Sequence, residues 1–421
     1  MNKYRLFAII STVLVLVSCG EKSSEKHVPE LLGFVPSDAL AVVCYDDCSK
    51  GLALLDTANA LNKIDYGKLS GSKAVISLCY TTSLIPLLAL DTGRASDDTS
   101  DVVRSIIDQA GPLGLKAEFI QDKEQTGRRG ALVITPSQTE LTASRRHFDE
   151  NASILDAPGF DEALDECDGS KNWVIFRNSG ADKYIPRSFL MNYVQRREFS
   201  LFMQKAADWM VLVPESAGRF NFNTVCGDFD TYYCKMVESL PLNQSKLGPM
   251  LPRSTEFTIA LPIERDEFRE TYEDYLDACV KLEKYEARLR ELKAESGKDP
   301  LAWEKEIGVK EVAVVKWNNR SVCLVRSPKA KQQDIAQNPY RGFVPALYGS
   351  AFALADDSSY ACAGGWMIFG GEEDLEAFLN CDHGAERLRW PGRHCKAIVF
   401  NTNFLFCWDK DGIYLNVNRS R

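Results

Sequence analysis

The chain has 421 residues, of which 45% are hydrophobic and 26% charged, and a formal net charge of −9. Such a composition describes a globular protein with a sizeable core, and the length leaves room for roughly two domains. The acidic balance excludes a protein built around nucleic acid, which needs a basic face; Arg128-Arg129, Arg145-Arg146 and Arg196-Arg197 are short and interleaved with acids, as solvated surface charge is.

The N-terminus reads as an export signal. Lys3 and Arg5 precede an apolar run from Leu6 to Val17, and Leu16-Val17-Ser18-Cys19 closes it. The run falls short of the ~20 residues that span a bilayer as a helix. A charged start, a short apolar stretch and a small residue before a cysteine make a bacterial lipoprotein signal. Residues 1–18 are expected to be removed, with Cys19 as the lipid attachment. Residues 19–30 are polar and aperiodic, a tether. Gly20 follows the lipidated cysteine where an Asp would retain the protein at the inner membrane. The expected address is therefore the outer membrane, with the folded part facing the periplasm or the cell surface.

Folded sequence begins near Leu31. Val35-Pro36-Ser37-Asp38 is turn chemistry ahead of an apolar strand, Ala39 to Tyr45. The spacing of Leu52, Leu55, Ala58 and Leu61 predicts a helix. Lys73 to Tyr80 and Leu84 to Leu90 read as a hairpin across Thr81-Thr82-Ser83. Ser100 to Ala110 is a predicted helix closed by Gly111-Pro112. Strands follow at Leu115 to Ile120 and Ala131 to Ile134. A helix runs from Ser137 to His147, with Ser137 and Glu140 in capping-box spacing. A short helix opens at Phe160, and Trp173 to Phe176 is a strand. Met210 to Val213 and Arg219 to Val225 form a second hairpin.

The second half repeats this order. Leu251-Pro252 leads into a strand, Phe257 to Leu261, as Val35-Pro36 did. Glu311 to Lys316 and Ser321 to Val325 match the first hairpin. Gly365 to Gly371 leads into a helix, Glu372 to Leu379. Ala397 to Phe400 matches the strand at Trp173, and Phe404 to Trp408 with Ile413 to Val417 matches the closing hairpin. Internal repetition of this kind marks two related units, expected at residues 31–245 and 246–421. The main departure is a helical arm over 266–308. From Asp266 to Ser296 apolar residues recur in steps of three and four, which predicts one long helix with a single apolar face. That stripe suits docking on its own sheet or on an envelope protein partner. The fold class is α+β: two related halves, each a mostly antiparallel sheet with helices packed on one face, plus the arm in the second half.

Chemistry is sparse. Neither the phosphate-cradling loop nor the dinucleotide fingerprint is present, and no serine sits in a Gly-x-Ser-x-Gly elbow. Cys381, His383, His394 and Cys395 are ligand types for zinc within a short stretch, but His394 and Cys395 are adjacent and would point to opposite faces of a strand. Asp409-Lys410-Asp411-Gly412 begins like a calcium loop and lacks its closing Glu, so a hairpin turn accounts for it. Asp46-Asp47 and Asp356-Asp357 follow apolar strands and fit either paired acid–base carboxylates or turns. No catalytic residue, cofactor or resident metal is assigned. Of the 13 cysteines, Cys44, Cys79, Cys323 and Cys407 lie inside apolar strands, where a thiol serves as a small buried hydrophobe. An exported protein permits disulfides, but free buried thiols are expected ahead of a disulfide framework; Cys44 with Cys48, and Cys226 with Cys234, are the pairs whose separation is the first to check.

The lipobox at Cys19, Val35-Pro36-Ser37-Asp38-Ala39, the group Leu155, Asp156, Pro158 and Phe160, and Glu311 to Trp317 after a Gly-Lys-Asp-Pro turn together resemble uncharacterised lipoproteins of Bacteroidetes-type bacteria that carry a domain of unknown function. The resemblance implies an exported, lipid-anchored α+β protein and carries no activity. The expected function is a non-catalytic binding or scaffold module of the cell envelope, attached to the membrane through its lipid. Alternatives are a hydrolase of envelope glycans, with carboxylates brought together by folding, and a carrier of an apolar ligand between the halves. Replacement of Cys19 by Ser is expected to abolish acylation and leave the fold intact, because the tether separates lipid from core. Metabolic labelling with a fatty acid and circular dichroism read the two outcomes, and loss of fold together with lipid would refute the tether.

Overall fold

The computed structural model describes residues 30–421 apart from 53–58, 93–96, 122–129, 151, 168, 181–182, 184–203, 217–218, 227–230, 385–389, 391–393, 402–403, 411 and 418–421. The signal segment, Cys19, nearly all of the tether and Asp411 lie outside the described residues. No described helix is long and apolar enough to cross a membrane. The chain forms two compact units, Met1–Pro186 with Ala207–Gly227, and Arg187–Ala206 with Asp228–Arg421.

Unit 1 is built on strands β1 (Ala41–Tyr45), β2 (Ala74–Tyr80), β3 (Leu84–Asp91), β4 (Lys116–Ile120), β5 (Ala131–Thr135), β6 (Trp173–Arg177), β7 (Trp209–Ser216) and β8 (Arg219–Val225). They pair antiparallel in the order β4-β5-β3-β2-β1-β6-β7-β8. The register decides which residues share a face. Cys44 pairs with Val75 and Trp173, Val75 with Ala89, and Ala89 with Val133. These alternate positions form one apolar face, covered by Leu141 and Phe148 of α3 (Gln138–Glu150) and by Phe160 and Ala163 of α4 (Phe160–Asp165). The opposite face (Val43, Ile76, Leu88, Leu132) is buried as well, which is why these strands read as continuous apolar runs. Helix α1 (Cys48–Leu52) and α2 (Asp97–Ala110) complete the unit. The helix expected over Leu52–Leu61 is met only at its ends, by α1 and by a 3-10 turn at Ala60–Lys63; residues 53–58 lie outside the described residues.

After Arg187–Ala206, unit 2 resumes at Asp228 and continues with α5 (Tyr233–Ser239) and the short β9 (Asn243–Gln244). This is earlier than the expected boundary at 245/246. The reason is packing: Tyr233 meets Tyr275 ring to ring at 5.8 Å, and Ser245 bonds Glu311. The large sheet contains β10 (Thr255–Pro262), β11 (Glu311–Trp317), β12 (Arg320–Arg326), β13 (Gln333–Gln337), β14 (Ser359–Ala363), β15 (Trp366–Gly370), β17 (Ala397–Asn401), β18 (Phe404–Asp409) and β19 (Gly412–Val417). Their order is β13-β14-β15-β12-β11-β10-β17-β18-β19. Without β13 this is the order of unit 1, strand for strand. The turns before the first strands also coincide. Ala39 N–H donates to Pro36 O at 3.1 Å and Thr255 N–H to Pro252 O at 3.0 Å. The carbonyl before each proline, of Val35 and of Leu251, accepts from a backbone N–H beyond the matching helix, Ile154 or Gly384, each at 3.0 Å. Helix α10 (Glu372–Asn380) places Leu375 and Phe378 on the sheet face of Ala313, Leu324 and Ile368, as α3 does in unit 1.

The arm occupies the other face. It consists of α6 (Arg265–Ala278), α7 (Leu282–Ser296) and α8 (Pro300–Ile307). One continuous helix over Asp266–Ser296 was the expectation, and it is corrected here. The chain breaks at Val280, a β-branched residue at φ 55, in the left-handed region that ends helices. The fold-back brings Tyr272 and Tyr285 to 6.0 Å between ring centroids, where an unbroken helix would hold them about 20 Å apart. The heptad-like stripe is therefore shared by two helices, and Phe268, Tyr272, Leu276, Tyr285, Leu289 and Leu292 are all buried. The Trp303 ring of α8 reaches Phe369 of β15 at 6.5 Å.

At the centre of the arm lies an ion pair. Arg269 donates from Nη2 to Glu304 Oε1 at 2.6 Å, and from Nη1 to Tyr285 Oη at 2.7 Å and to Leu347 O at 3.1 Å. Tyr348 donates its hydroxyl to Glu304 Oε1 at 2.5 Å, and Arg265 Nε lies 3.3 Å from Oε2. The rings of Phe268, Tyr272, Tyr285 and Tyr348 surround the guanidinium at 5.6–6.0 Å. Glu304 is fully buried. Removing it strands a buried cation, so Glu304→Ala should cost about 3–5 kcal/mol, read as a lowered urea midpoint. An unchanged midpoint would show that the pair does not hold the arm.

Candidate functional site

The arm borders a cavity in which charges of both signs meet an apolar floor. Its volume is about 380 Å³, at the lower end of the ~300–1,000 Å³ usual for small-molecule sites. The floor is Cys323 of β12, Phe369 of β15, Phe352 and Ala353. The wall is Val344 and Pro345 of α9 (Phe343–Tyr348), and the rim is Arg288, Glu295, Arg341 and Asp357.

Local structure explains each rim residue. Arg288 and Glu295 are two turns apart on α7, so they share a face, beside Leu292 at the margin of the buried stripe. Arg288 Nη1 lies 3.0 Å from Glu291 and 3.7 Å from Glu295. Arg341 stands in the turn before α9, its Nε 3.5 Å from Asp357 Oδ1. Asp357 Oδ2 accepts from Gly342 N–H at 2.5 Å, which fixes the turn to the stretch that follows the 3-10 helix Ser350–Leu354. Gly342 has φ +79, and a Cβ there would stand 3.1 Å from Leu292 and 3.4 Å from Arg288 Nη2. Only glycine lets the turn approach α7 this closely. Burial pushes the Cys323 thiol far above its ordinary value, so it lies on the floor as an inert apolar group.

The residues singled out in the sequence fall elsewhere. The cluster Cys381, His383, His394 and Cys395 does not assemble. Cys381 Sγ and His383 Nε2 touch at 3.5 Å, with His383 against the Phe378 ring, and burial lowers the imidazole below its usual range. His394 and Cys395 form β16 (His394–Cys395), opposite Gln244 and Asn243. No group of three or more potential ligands occurs among the described residues. Asp47 Oδ1 caps α1, accepting from Ser49 N–H at 2.9 Å and Lys50 N–H at 3.3 Å. Asp356 accepts from Ser358 N–H at 3.0 Å. Both act as turn residues, whereas Asp357 belongs to the rim. No disulfide joins the described cysteines, and Cys44 and Cys48 are separate buried thiols. The apolar stripe of the arm, on which docking to a partner rested, is turned inward.

Sequence reading missed the rim because its members come from two distant segments. A turn signal, Asn338-Pro339-Tyr340-Arg341-Gly342, was present, and so was the seven-residue step from Arg288 to Glu295. Neither says that they meet.

A second polar cluster is structural. Glu311 is fully buried at the start of β11. Ser245 Oγ donates to its Oε1, Lys246 N–H reaches Oε2 at 2.8 Å, and Arg326 Nε lies 3.4 Å away. Trp390 Nε1 donates to Ser245 Oγ at 3.1 Å. The knot ties the start of unit 2 to its sheet. No family model, curated protein or solved structure matches this chain.

Burial raises the Glu311 carboxyl above its ordinary 4.5, against the opposing pull of Ser245, Lys246 and Arg326. A carboxyl raised in the fold contributes stability below its unfolded pKa and loses it as pH rises through the folded value. Glu311→Gln removes that dependence. Its stability relative to wild type should therefore climb as pH rises from the ordinary 4.5 through the raised folded value, in urea titrations along a pH series. A flat or falling difference would contradict the assignment.

Proposed function

We propose that the protein is a lipid-anchored module of the cell envelope that binds ligand without catalysis, and that the cavity of unit 2 is its binding site. The supporting observation is the state of the rim carboxylates. Asp357 is held by Gly342 N–H and faces Arg341, and Glu295 faces Arg288. A glycan hydrolase needs one carboxyl kept protonated and another poised opposite it. Here each carboxylate is matched to a guanidinium, an arrangement that suits charge recognition.

The ligand class follows from the lining. Two guanidiniums suit a carboxylate, two carboxylates suit an ammonium, and the Phe352–Phe369 floor suits an apolar group. A small zwitterion with an aromatic or aliphatic side chain, such as an amino acid or a peptide end, meets all three. In the envelope the Cys19 lipid would keep this site at the membrane surface.

Calorimetric titration of the purified chain with L-phenylalanine, N-acetyl-L-phenylalanine and phenethylamine tests the reading. Phenylalanine should bind at least ~10-fold tighter than either single-charge analogue, and Arg341→Gln should abolish that preference. Equal affinities for the three compounds, or none, would overturn it.

A further inference from the structure

Cys395 and Cys407 occupy neighbouring strands, β16 and β18, and both belong to the apolar core of unit 2, at 0% and 1% exposure. What brings them together is a bulge. Ala397 pairs with Trp408, and Ile398 with Cys407. Lys396 N–H also reaches Trp408 O, at 2.7 Å, so two residues of one strand stand opposite one of the other. Strict alternation from Ile398 would turn Cys395 away from the core. The extra residue reverses it, and Cys395 faces inward on the side of Ile398 and Cys407. Both side chains therefore lie in a single apolar cluster with Ile398, and β16 packs beside β18.

We propose that Cys395 and Cys407 are a disulfide-forming pair, and that the structure shows its dithiol state. The bond would join the segment carrying β16 to the closing hairpin of the sheet, beside the knot at Ser245 and Glu311. The exchange needs an oxidised disulfide such as oxidised glutathione. One cysteine thiolate attacks a glutathione sulfur, and a mixed disulfide forms as glutathione thiolate leaves. The second cysteine thiolate then displaces the bound glutathione. Two protons leave the cysteines, and their two electrons reduce the donor. The neighbouring Cys407 and burial both disfavour the Cys395 thiolate in the finished fold, so the bond forms fastest while the hairpin is still exposed.

The test uses the full chain, refolded from denaturant in a buffer of oxidised and reduced glutathione. Acid quench, alkylation under denaturing conditions and digestion without reductant follow. Mass spectrometry should find a linked peptide containing Cys395 and Cys407, with loss of alkylation at both. Cys395→Ser should remove the linked peptide and restore alkylation of Cys407. Cys44→Ser, in the core of unit 1, should leave the link unchanged. Full alkylation of Cys395 and Cys407 in refolded wild-type protein would overturn the proposal, as would a link from either one to a different cysteine. The outcome depends neither on export nor on ligand binding, so it stands or falls apart from the function proposed above.

Discussion

The architecture of unit 2 depends on one buried charge pair. Arg269 and Glu304 sit on the first and last helices of an insertion between two paired strands, and together they fix where those helices cross the sheet. Such a pair repays its desolvation only when the remaining donors and acceptors are also met. Tyr285, Tyr348 and the Leu347 carbonyl meet most of them and four rings enclose the cation, while Arg269 Nε and Glu304 Oε2 make no hydrogen bond. Hydrophobic residues of the same volume would hold the helices as firmly. They would not set a single rotation of α7, and the positions of Arg288 and Glu295 depend on that rotation.

The two units show the same plan under different demands. Both place the Pro36 or Pro252 turn before a central strand and cover one face with the helix that follows β5 or β15. Between the first two strands, the described residues of unit 1 hold only the short α1 and the 3-10 turns Ala60–Lys63 and Gly67–Gly71, whereas unit 2 spends 263–310 on the arm. The cavity lies under that added piece. Repetition supplied the scaffold, and the insertion supplied the place where charges converge.

The central strands were legible because they are buried on both faces and read as apolar runs. Glu311 to Trp317 and Ala131 to Thr135 are examples. The edge strand β13 was not legible: Gln333-Asp334-Ile335-Ala336-Gln337 is half exposed and polar, as edges often are. Strand β14, with two alanines and a serine, carries too little apolar contrast to stand out. The arm was visible as periodicity, but its break was not, since Val280 is neither Gly nor Asn and nothing local announces a left-handed residue. The rim was hidden for a different reason. Arg288 and Asp357 are brought near one cavity only by the fold-back, and spacing along the chain carries no record of it.

The strand order has a consequence for how the chain comes to be folded. In each unit the earliest strand of the sheet ends up in its middle. Val42 and Cys44 can pair with β2 at once, but their other edge waits for Trp173 to Phe176. Ile259 and Ala260 wait in the same way for Ile398 and Val399. Until the chain reaches those points, each unit presents an apolar strand edge that is open to any passing β-segment. Non-local pairing of this kind is slow. A growing chain of this design spends its youth sticky, twice over, and is safe only when each of its two late strands has been made.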